Sequence, residues 1–246
     1  MKYIRLFEDF QLGDLNFMSP EEIEKLFFRE CEKSTPDLEL IRVIIENGLV
    51  DVGAKDDDGE TPLHWAVKWD DIEIANLLIE MGAKVNAQNR DGETPLHWAV
   101  EGRNIDLAKF LIDSGAKVNA NTYDYNTPLH LAVKRDNIAL VELLIVSGAD
   151  VGAKNKWGST PLHWAVFRNI EIAKLLIDSG AKVNVMNEDG DTPLHRAVRW
   201  DNIEGAKLLI DSGAGLDAKG LYGRTPLHWA KSEEMKALLI QHGAVE

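Results

Sequence analysis

The 246-residue chain is acidic, with a formal net charge of −14, 45% hydrophobic residues and 28% charged residues. This composition excludes a disordered or collagen-like chain, because apolar residues are frequent and glycine shows no three-residue period. Nucleic-acid binders need basic patches and anionic membranes attract basic segments, so neither is an expected partner. No apolar run approaches the roughly 20 residues that span a bilayer.

The charge is uneven along the chain, because residues 1–60 carry 7 Lys or Arg against 16 Asp or Glu. If charge steers association, the partner is basic and meets the N-terminal end first. Solubility alone is the simpler explanation of the same imbalance.

Cysteine usage and the N-terminal residues bear on the compartment. Cys31 is the single cysteine, which excludes an internal disulfide and favours a reducing, cytoplasmic location. The opening MKYIRLFEDFQLGDLNF contains acidic residues that interrupt an apolar core, so a signal peptide is not predicted. The sequence assigns no structure to residues 1–18.

The next feature is a repeat, in which the string TPLH recurs every 33 residues, with one step of 32. Its six copies begin at Thr61, Thr94, Thr127, Thr160, Thr192 and Thr225. In the copy over 61–93, a threonine cap and Pro62 at the first helical position predict a short helix. The pattern IEIANLLIEM then predicts a longer amphipathic helix that ends at Gly82. The following Asn-Arg-Asp-Gly stretch predicts a turn.

This unit resembles the ankyrin repeat in its TPLH-x-A motif, its two-helix spacing, its Gly-Ala pair before the loop and its period. The resemblance runs from about Leu38 to Ala244. It implies an all-α ankyrin-repeat solenoid of about seven helix-turn-helix units with hairpin-like loops. One such unit cannot bury its apolar face alone, whereas stacked units share a continuous core.

The same pattern divides the chain. Residues 19–60 are expected to form a degenerate N-terminal capping repeat, opened by a capping box of Ser19 and Glu22 around Pro20, with a first helix to about Lys33. Residues 61–224 are expected to form five ankyrin repeats, and residues 225–246 a shortened C-terminal capping repeat.

No catalytic or metal-binding constellation is evident, so we expect a non-enzymatic chain without cofactors. Stacked units would place successive TPLH histidines about 10 Å apart, too far to share a zinc ion. Hydrogen bonds to the adjoining loop are predicted for them instead. The acidic run over 56–60 lacks the spaced ligands of a calcium loop.

The seven tryptophans divide into those that recur with the repeat and those that do not. Trp65, Trp98, Trp164 and Trp229 follow the repeated histidine and are expected to pack between units. The ankyrin resemblance implies that variable positions at loop tips and first-helix ends form a concave partner-binding surface. Aromatic residues and arginine dominate interface hot spots. The predicted partner-binding residues are Trp69, Arg90, Tyr123, Lys134, Arg135, Trp157, Phe167, Arg199, Trp200, Tyr222 and Arg224.

The function that these features favour is a monomeric protein-interaction scaffold that binds a protein or peptide on its concave face. The alternative is a regulatory or inhibitory subunit that masks the active site of a partner enzyme. The family resemblance implies protein interaction and little about the partner's identity.

Three departures from the repeat stand out. The unit at Thr160 has one residue fewer between its helices, and the next unit has Gly205 where other copies have an aliphatic residue. Because interior glycine weakens a helix and removes buried area, that unit is expected to be the softest link or to make room for something. Tyr125 replaces a loop glycine, so that loop is either strained or reshaped.

Overall fold

A computed structural model describes residue 15 and the ranges 17–33 and 35–245. This part of the chain forms seven pairs of helices and contains no strand. The first helices of the pairs are α1 (Pro20–Cys31), α3 (Pro62–Lys68), α5 (Pro95–Glu101), α7 (Pro128–Lys134), α9 (Pro161–Arg168), α11 (Pro193–Arg199) and α13 (Pro226–Trp229). The second helices are α2 (Leu38–Glu46), α4 (Ile72–Glu80), α6 (Ile105–Asp113), α8 (Ile138–Val146), α10 (Ile170–Asp178), α12 (Ile203–Asp211) and α14 (Glu233–Gln241).

The pair α3 and α4 begins and ends as the sequence of residues 61–93 predicts. Thr61 caps α3, with Pro62 at the first helical position. Asp71 caps α4 by accepting a hydrogen bond from the Ile74 amide at 2.9 Å. Gly82 follows α4 with a φ of 94°, the left-handed conformation that lets the chain leave the helix.

Successive pairs stack, so that first helices pack on first helices and second helices on second helices. The leucine of each internal TPLH motif is fully buried at the centre of this stack. The residues concerned are Leu63, Leu96, Leu129, Leu162 and Leu194. The predicted all-α solenoid of helix pairs with a continuous core is therefore confirmed.

Loops link the pairs and also bond to one another. Within one loop, the Asn89 amide donates to the Glu93 carbonyl at 3.0 Å, which closes a hairpin-like turn. Between loops, the Arg90 amide donates to the Asp58 carbonyl at 3.0 Å, and the Tyr123 amide donates to the Asp91 carbonyl at 2.9 Å. These bonds hold neighbouring loop tips side by side.

The first pair carries the predicted capping box, in which the Ser19 amide donates to Glu22 at 2.8 Å and the Glu22 amide donates to Ser19 at 3.3 Å. Its first helix ends at Cys31, two residues before the predicted end near Lys33. The buried Glu30 carboxylate accepts from the Asp37 amide at 2.7 Å and draws the chain into its turn. Most of the unassigned segment 1–18 lies outside the described residues.

Of the two expectations for Gly205, the structure supports the second, that the residue makes room for something. Helix α9 is one residue longer than its counterparts, and Asn169 both ends it and caps α10. A β carbon at position 205 would lie 2.1 Å from the Val166 carbonyl oxygen. The space that a side chain would occupy is therefore filled by the backbone of α9. The expected loss of burial at this position is wrong.

The loop at Tyr125 keeps the shape of its neighbours. Tyr125 has a φ of 57°, close to the 78° of Gly92 and the 69° of Gly158. Its amide donates to the Thr122 carbonyl at 2.8 Å, as the Gly92 amide does to Asn89 at 3.1 Å. A tyrosine thus holds a left-handed conformation that favours glycine.

Candidate partner-binding face

We call the surface made by the loop tips and the adjoining sides and ends of the first helices the loop face. The repeated histidines lie beneath it. The Thr61 amide donates to Nδ1 of His64 at 3.1 Å, and Nε2 lies 3.2 Å from the Glu93 carbonyl of the next loop. Because Nδ1 accepts an amide hydrogen, Nε2 must carry the proton and donate to that carbonyl. His97, His130, His163 and His195 repeat the arrangement.

These contacts confirm the predicted structural role for five of the six repeated histidines, whereas the exposed His228 of the last unit bonds only to Thr225. Burial lowers the pKa of His64, His130 and His163 to about 4, against partial compensation from the carbonyl bonds. Each ring therefore stays neutral and ties one loop to the preceding pair. Among the described residues, no group of three or more His, Cys, Asp or Glu side chains is placed to hold a metal ion.

The N-terminal half of the loop face is rich in carboxylates that bond to tryptophan. Nε1 of Trp65 donates to Asp56 at 2.8 Å, and Nε1 of Trp98 donates to Glu93 at 2.8 Å. The two rings meet edge to face, with centroids 6.1 Å apart. Lys68 places its ammonium 4.1 Å from the Trp65 ring centroid. Trp65 and Trp98 therefore pack between neighbouring units, as the sequence predicts.

Glu60 is buried within the same region. Its Oε1 accepts a hydrogen bond from the side-chain amide of Asn89 at 3.0 Å, while Oε2 has no hydrogen-bond partner. Burial raises the pKa of Glu60 to about 7, and the charges of Asp56 and Glu93 add to the increase. Near neutral pH this carboxyl therefore exchanges between its neutral and charged forms.

The middle of the loop face carries exposed aromatic residues and paired cations. Tyr123 is 67% exposed and Trp157 is 50% exposed. Arg135 forms an ion pair with Glu101 of the preceding pair of helices, and Lys134 is exposed beside it. This part of the loop face therefore carries both exposed aromatic rings and cationic side chains.

Toward the C-terminal half, Phe167 and Trp200 stack across two units. Their ring centroids are 5.3 Å apart and the planes are inclined by 19°. Trp200 nevertheless stays 63% exposed on its other side. The pair therefore presents one extended aromatic surface rather than two isolated rings.

The last two units bring arginines around a tryptophan. Arg199 pairs with the fully buried Asp191 at 2.8 Å, and its guanidinium carbon lies 4.3 Å from the Trp229 ring centroid. The guanidinium carbon of Arg224 lies 5.0 Å from the same centroid. Tyr222 is 81% exposed in the adjoining loop.

The eleven predicted partner-binding residues fall into two groups. The exposed group comprises Arg90, Tyr123, Lys134, Trp157, Trp200, Tyr222 and Arg224, and the half-buried group comprises Trp69, Arg135, Phe167 and Arg199. Trp69 differs most from the others, because its Nε1 donates to the Cys31 carbonyl at 3.3 Å. That bond fastens the second unit to the first.

The set of predicted partner-binding residues leaves out four residues that shape the loop face: Glu60, Asp191, Arg196 and Trp229. For Glu60 and Asp191, the sequence signal lies at the position before each repeated threonine. That position holds Glu60, Glu93, Asn126, Ser159, Asp191 and Arg224 in successive units. The column is acidic in the first two units and again at Asp191, and only the last unit places an arginine there.

Stacked helix pairs with hydrogen-bonded loops define a helical-repeat solenoid. A family model described as ankyrin repeats (3 copies) matches residues 30–122, 129–220 and 183–246. The chain belongs to the ankyrin-repeat family.

Solved structures agree with this assignment. The crystal structure of the ankyrin repeat domain of Bcl-3, described as a unique member of the IkappaB protein family, is similar to this chain at 30% sequence identity with a TM-score of 0.75. The match covers 87% of this chain and 97% of the Bcl-3 chain. Ankyrin repeats are protein-interaction modules. In the described part of this chain, no helix combines the length and apolar character needed to cross a membrane.

Proposed function

We propose that the chain is a monomeric, non-enzymatic scaffold that binds a protein or peptide on its loop face. The exposed aromatic residues carry this proposal. That face includes four exposed rings, those of Tyr123, Trp157, Trp200 and Tyr222. Exposed apolar rings in this number promote aggregation unless a partner covers them. The similarity to the Bcl-3 ankyrin domain supports an interaction role of this kind.

Charge supports a basic segment in the partner. The N-terminal half of the loop face carries Asp56, Asp57, Asp58, Glu60, Asp91 and Glu93. A lysine- or arginine-rich segment that approaches this end would gain electrostatic attraction, mainly in its association rate. Salt should therefore slow association more than it speeds dissociation.

The experiment compares the wild-type chain with the triple variant Trp157→Ala, Trp200→Ala and Tyr222→Ala as bait in an extract of the source cells. Proteins retained by the wild type and lost with the variant are the expected result. The control variant Val146→Ala and Ile240→Ala removes exposed apolar side chains from second helices and should retain the same proteins. Trp69 is left intact because its bond to Cys31 gives it a structural role.

Retention of every partner by the triple variant, with an unchanged helical circular dichroism spectrum, would show that the loop face is not the binding surface. The same eluate also tests the inhibitory alternative. A bound enzyme that keeps its activity in the complex is scaffolded, and one that loses its activity is masked.

A further inference from the structure

We propose that the C-terminal end of the loop face binds a carboxylate side chain from an acidic peptide segment. The site is formed by Arg199, Arg224 and Trp229, which we call the arginine cluster. The proposal rests on the proposed function, because it names the chemistry of the segment that this end of the face would contact.

The first observation is a hydrogen-bond donor without an acceptor. In the third pair of helices, Trp98 donates its Nε1 hydrogen to Glu93, five residues earlier. In the last pair, the residue five positions before Trp229 is Arg224. Nε1 of Trp229 is buried and has no hydrogen-bond partner. An unmade bond of a buried donor destabilises the chain, and an acceptor from outside would remove that cost.

The second observation is the excess of guanidinium groups at this point. Arg199 is already neutralised by Asp191, whereas Arg224 is exposed and forms no ion pair with any described carboxylate. Arg196 lies one helical turn before Arg199, and its Nε is also buried without a partner. The cluster is therefore rich in donors and poor in acceptors.

Carboxylate chemistry fits this set of groups. A guanidinium binds a carboxylate through two parallel hydrogen bonds, which are shorter and stronger than bonds between neutral groups. The exposed side chain of Arg224 has the freedom to turn toward such a ligand, while Arg199 is held by Asp191. The indole N–H of Trp229 would donate to the same ligand.

Charge also fixes where an acidic segment can bind. Carboxylates near Asp58 and Glu60 would repel it at the N-terminal end of the loop face. Glu188 and Asp189 are exposed on the loop tip before the arginine cluster, so the favourable contact is with Arg224 itself, which has no ion-pair partner among the described carboxylates. A partner with a basic segment at one end and an acidic segment at the other would therefore bind in one orientation. The bound partner would then have a fixed direction along the solenoid.

The test uses a short fluorescein-labelled peptide of alternating glutamate and glycine, with the matching glutamine and glycine peptide as the neutral probe. Fluorescence anisotropy should show binding of the acidic peptide at low salt that weakens as salt rises. Arg224→Gln should weaken binding roughly three- to tenfold, and Arg224→Glu should abolish it. The control Lys109→Gln removes an exposed cation from the second helix α6, away from the loop face, and should leave the affinity unchanged.

A second measurement places the peptide. The indole N–H resonance of Trp229, assigned by its loss in Trp229→Phe, should shift on titration with the acidic peptide. Arg224→Glu should shift the same resonance without peptide, because it recreates the acceptor that Glu93 provides to Trp98. Circular dichroism of each variant should match the wild type, since Arg224 is exposed.

Equal binding of the neutral peptide, undiminished binding to Arg224→Glu, or no binding of the acidic peptide at low salt would each overturn the inference. These results would leave the proposed function standing if the triple aromatic variant still loses its partners. Conversely, retention of partners by that triple variant would remove the proposed function whatever the peptide does.

Discussion

The α carbon of Gly205 packs against the backbone of Val166, so closely that a β carbon at position 205 would lie 2.1 Å from the Val166 carbonyl oxygen. Two departures from the repeat are thereby joined, because the shortened connection after α9 brings that helix onto α12. The glycine keeps the stack continuous at the place where one unit is shorter.

We predict that Gly205→Ala destabilises the chain by about 1–3 kcal/mol, because the added methyl group overlaps a backbone atom that cannot move freely. Urea unfolding followed by circular dichroism measures the change. Gly215→Ala is the control in the same unit, because its β carbon would meet only ordinary contacts at 3.6 and 3.8 Å. It should change the free energy of unfolding little.

Inserting one residue between Arg168 and Asn169 provides the decisive comparison. The insertion restores the usual connection length and should relieve the overlap, so Gly205→Ala should cost less in the inserted background than in the wild type. Equal costs in both backgrounds would show that the short connection is not the reason for the glycine.

The sequence predicted the repeating features of this chain and missed those that depend on contacts between unlike units. The threonine and proline caps, the two helices per unit and the role of the histidines follow from patterns within about 33 residues, and the structure confirms them. The contact of Gly205 with Val166 joins two irregular units, and no single repeat contains both. Likewise, the bond of Trp69 to Cys31 depends on a first unit that lacks the TPLH motif.

The loop face was also only partly predictable. The ankyrin resemblance predicted which loop and helix-end residues belong to the loop face. It did not predict the hydrogen bonds and ion pairs that those residues form. The sequence predicts that Arg199 is free to contact a partner, whereas in the structure it forms an ion pair with the buried Asp191. Whether a polar side chain is free or already paired depends on the neighbouring unit.

Acid should destabilise the solenoid as pH falls from about 6.5 to about 4. Burial lowers the pKa of His64, His130 and His163 to about 4, so the unfolded chain binds protons in this range while the native chain does not. The histidines therefore contribute their whole stabilisation above the histidine pKa of the unfolded chain. As pH falls below that value, each of them lowers the free energy of unfolding by about 1.4 kcal/mol per pH unit. Urea unfolding at several pH values measures this slope.

His130→Asn tests the origin of the slope. It should lower stability at pH 7.5, because the bond to the Ser159 carbonyl is lost or weakened, yet make the remaining loss toward pH 5 shallower. His228→Gln is the control, since His228 is exposed and follows the last loop. An unchanged slope in His130→Asn would show that other groups govern acid unfolding.

Titration of Glu60 should raise the stability of the chain as pH falls, which is opposite to the effect of the histidines. Burial raises its pKa to about 7, so between about pH 7 and its unfolded value of 4.5 the native chain binds the extra proton and gains stability as pH falls. We expect Glu60→Gln to stabilise the chain above pH 7 by roughly 1–3 kcal/mol, because the amide keeps the oxygen that accepts from Asn89 without burying a charge. The gain should shrink toward pH 5. A gain that is independent of pH would argue against titration of this carboxyl in the native chain.

Cys31 should report opening of the first unit. It is the single cysteine, it is buried, and burial raises the pKa of its thiol well above the ordinary value. Because the thiolate is the reactive form, labelling with a disulfide reagent at pH 8 should need local opening. Trp69→Phe removes the bond to the Cys31 carbonyl and should accelerate labelling roughly three- to tenfold. Trp157→Phe should leave the rate unchanged, and a rate that is equal in all three proteins would contradict the contact.

Tyr125 offers the last test, because it separates stability from binding on the loop face. It holds a φ of 57° where the five other loops use glycine, and its ring is largely exposed. We predict that Tyr125→Gly leaves the chain as stable or up to about 1 kcal/mol more stable, since relief of backbone strain offsets the greater freedom of the unfolded chain. Gly158→Ala should cost about 1 kcal/mol or more, because its β carbon would lie 3.0 Å from the Glu188 nitrogen at a positive φ. If Tyr125→Gly gains stability and also loses affinity for a captured partner, the strained tyrosine serves binding; a marked loss of stability would instead show that the ring packs to hold the loop.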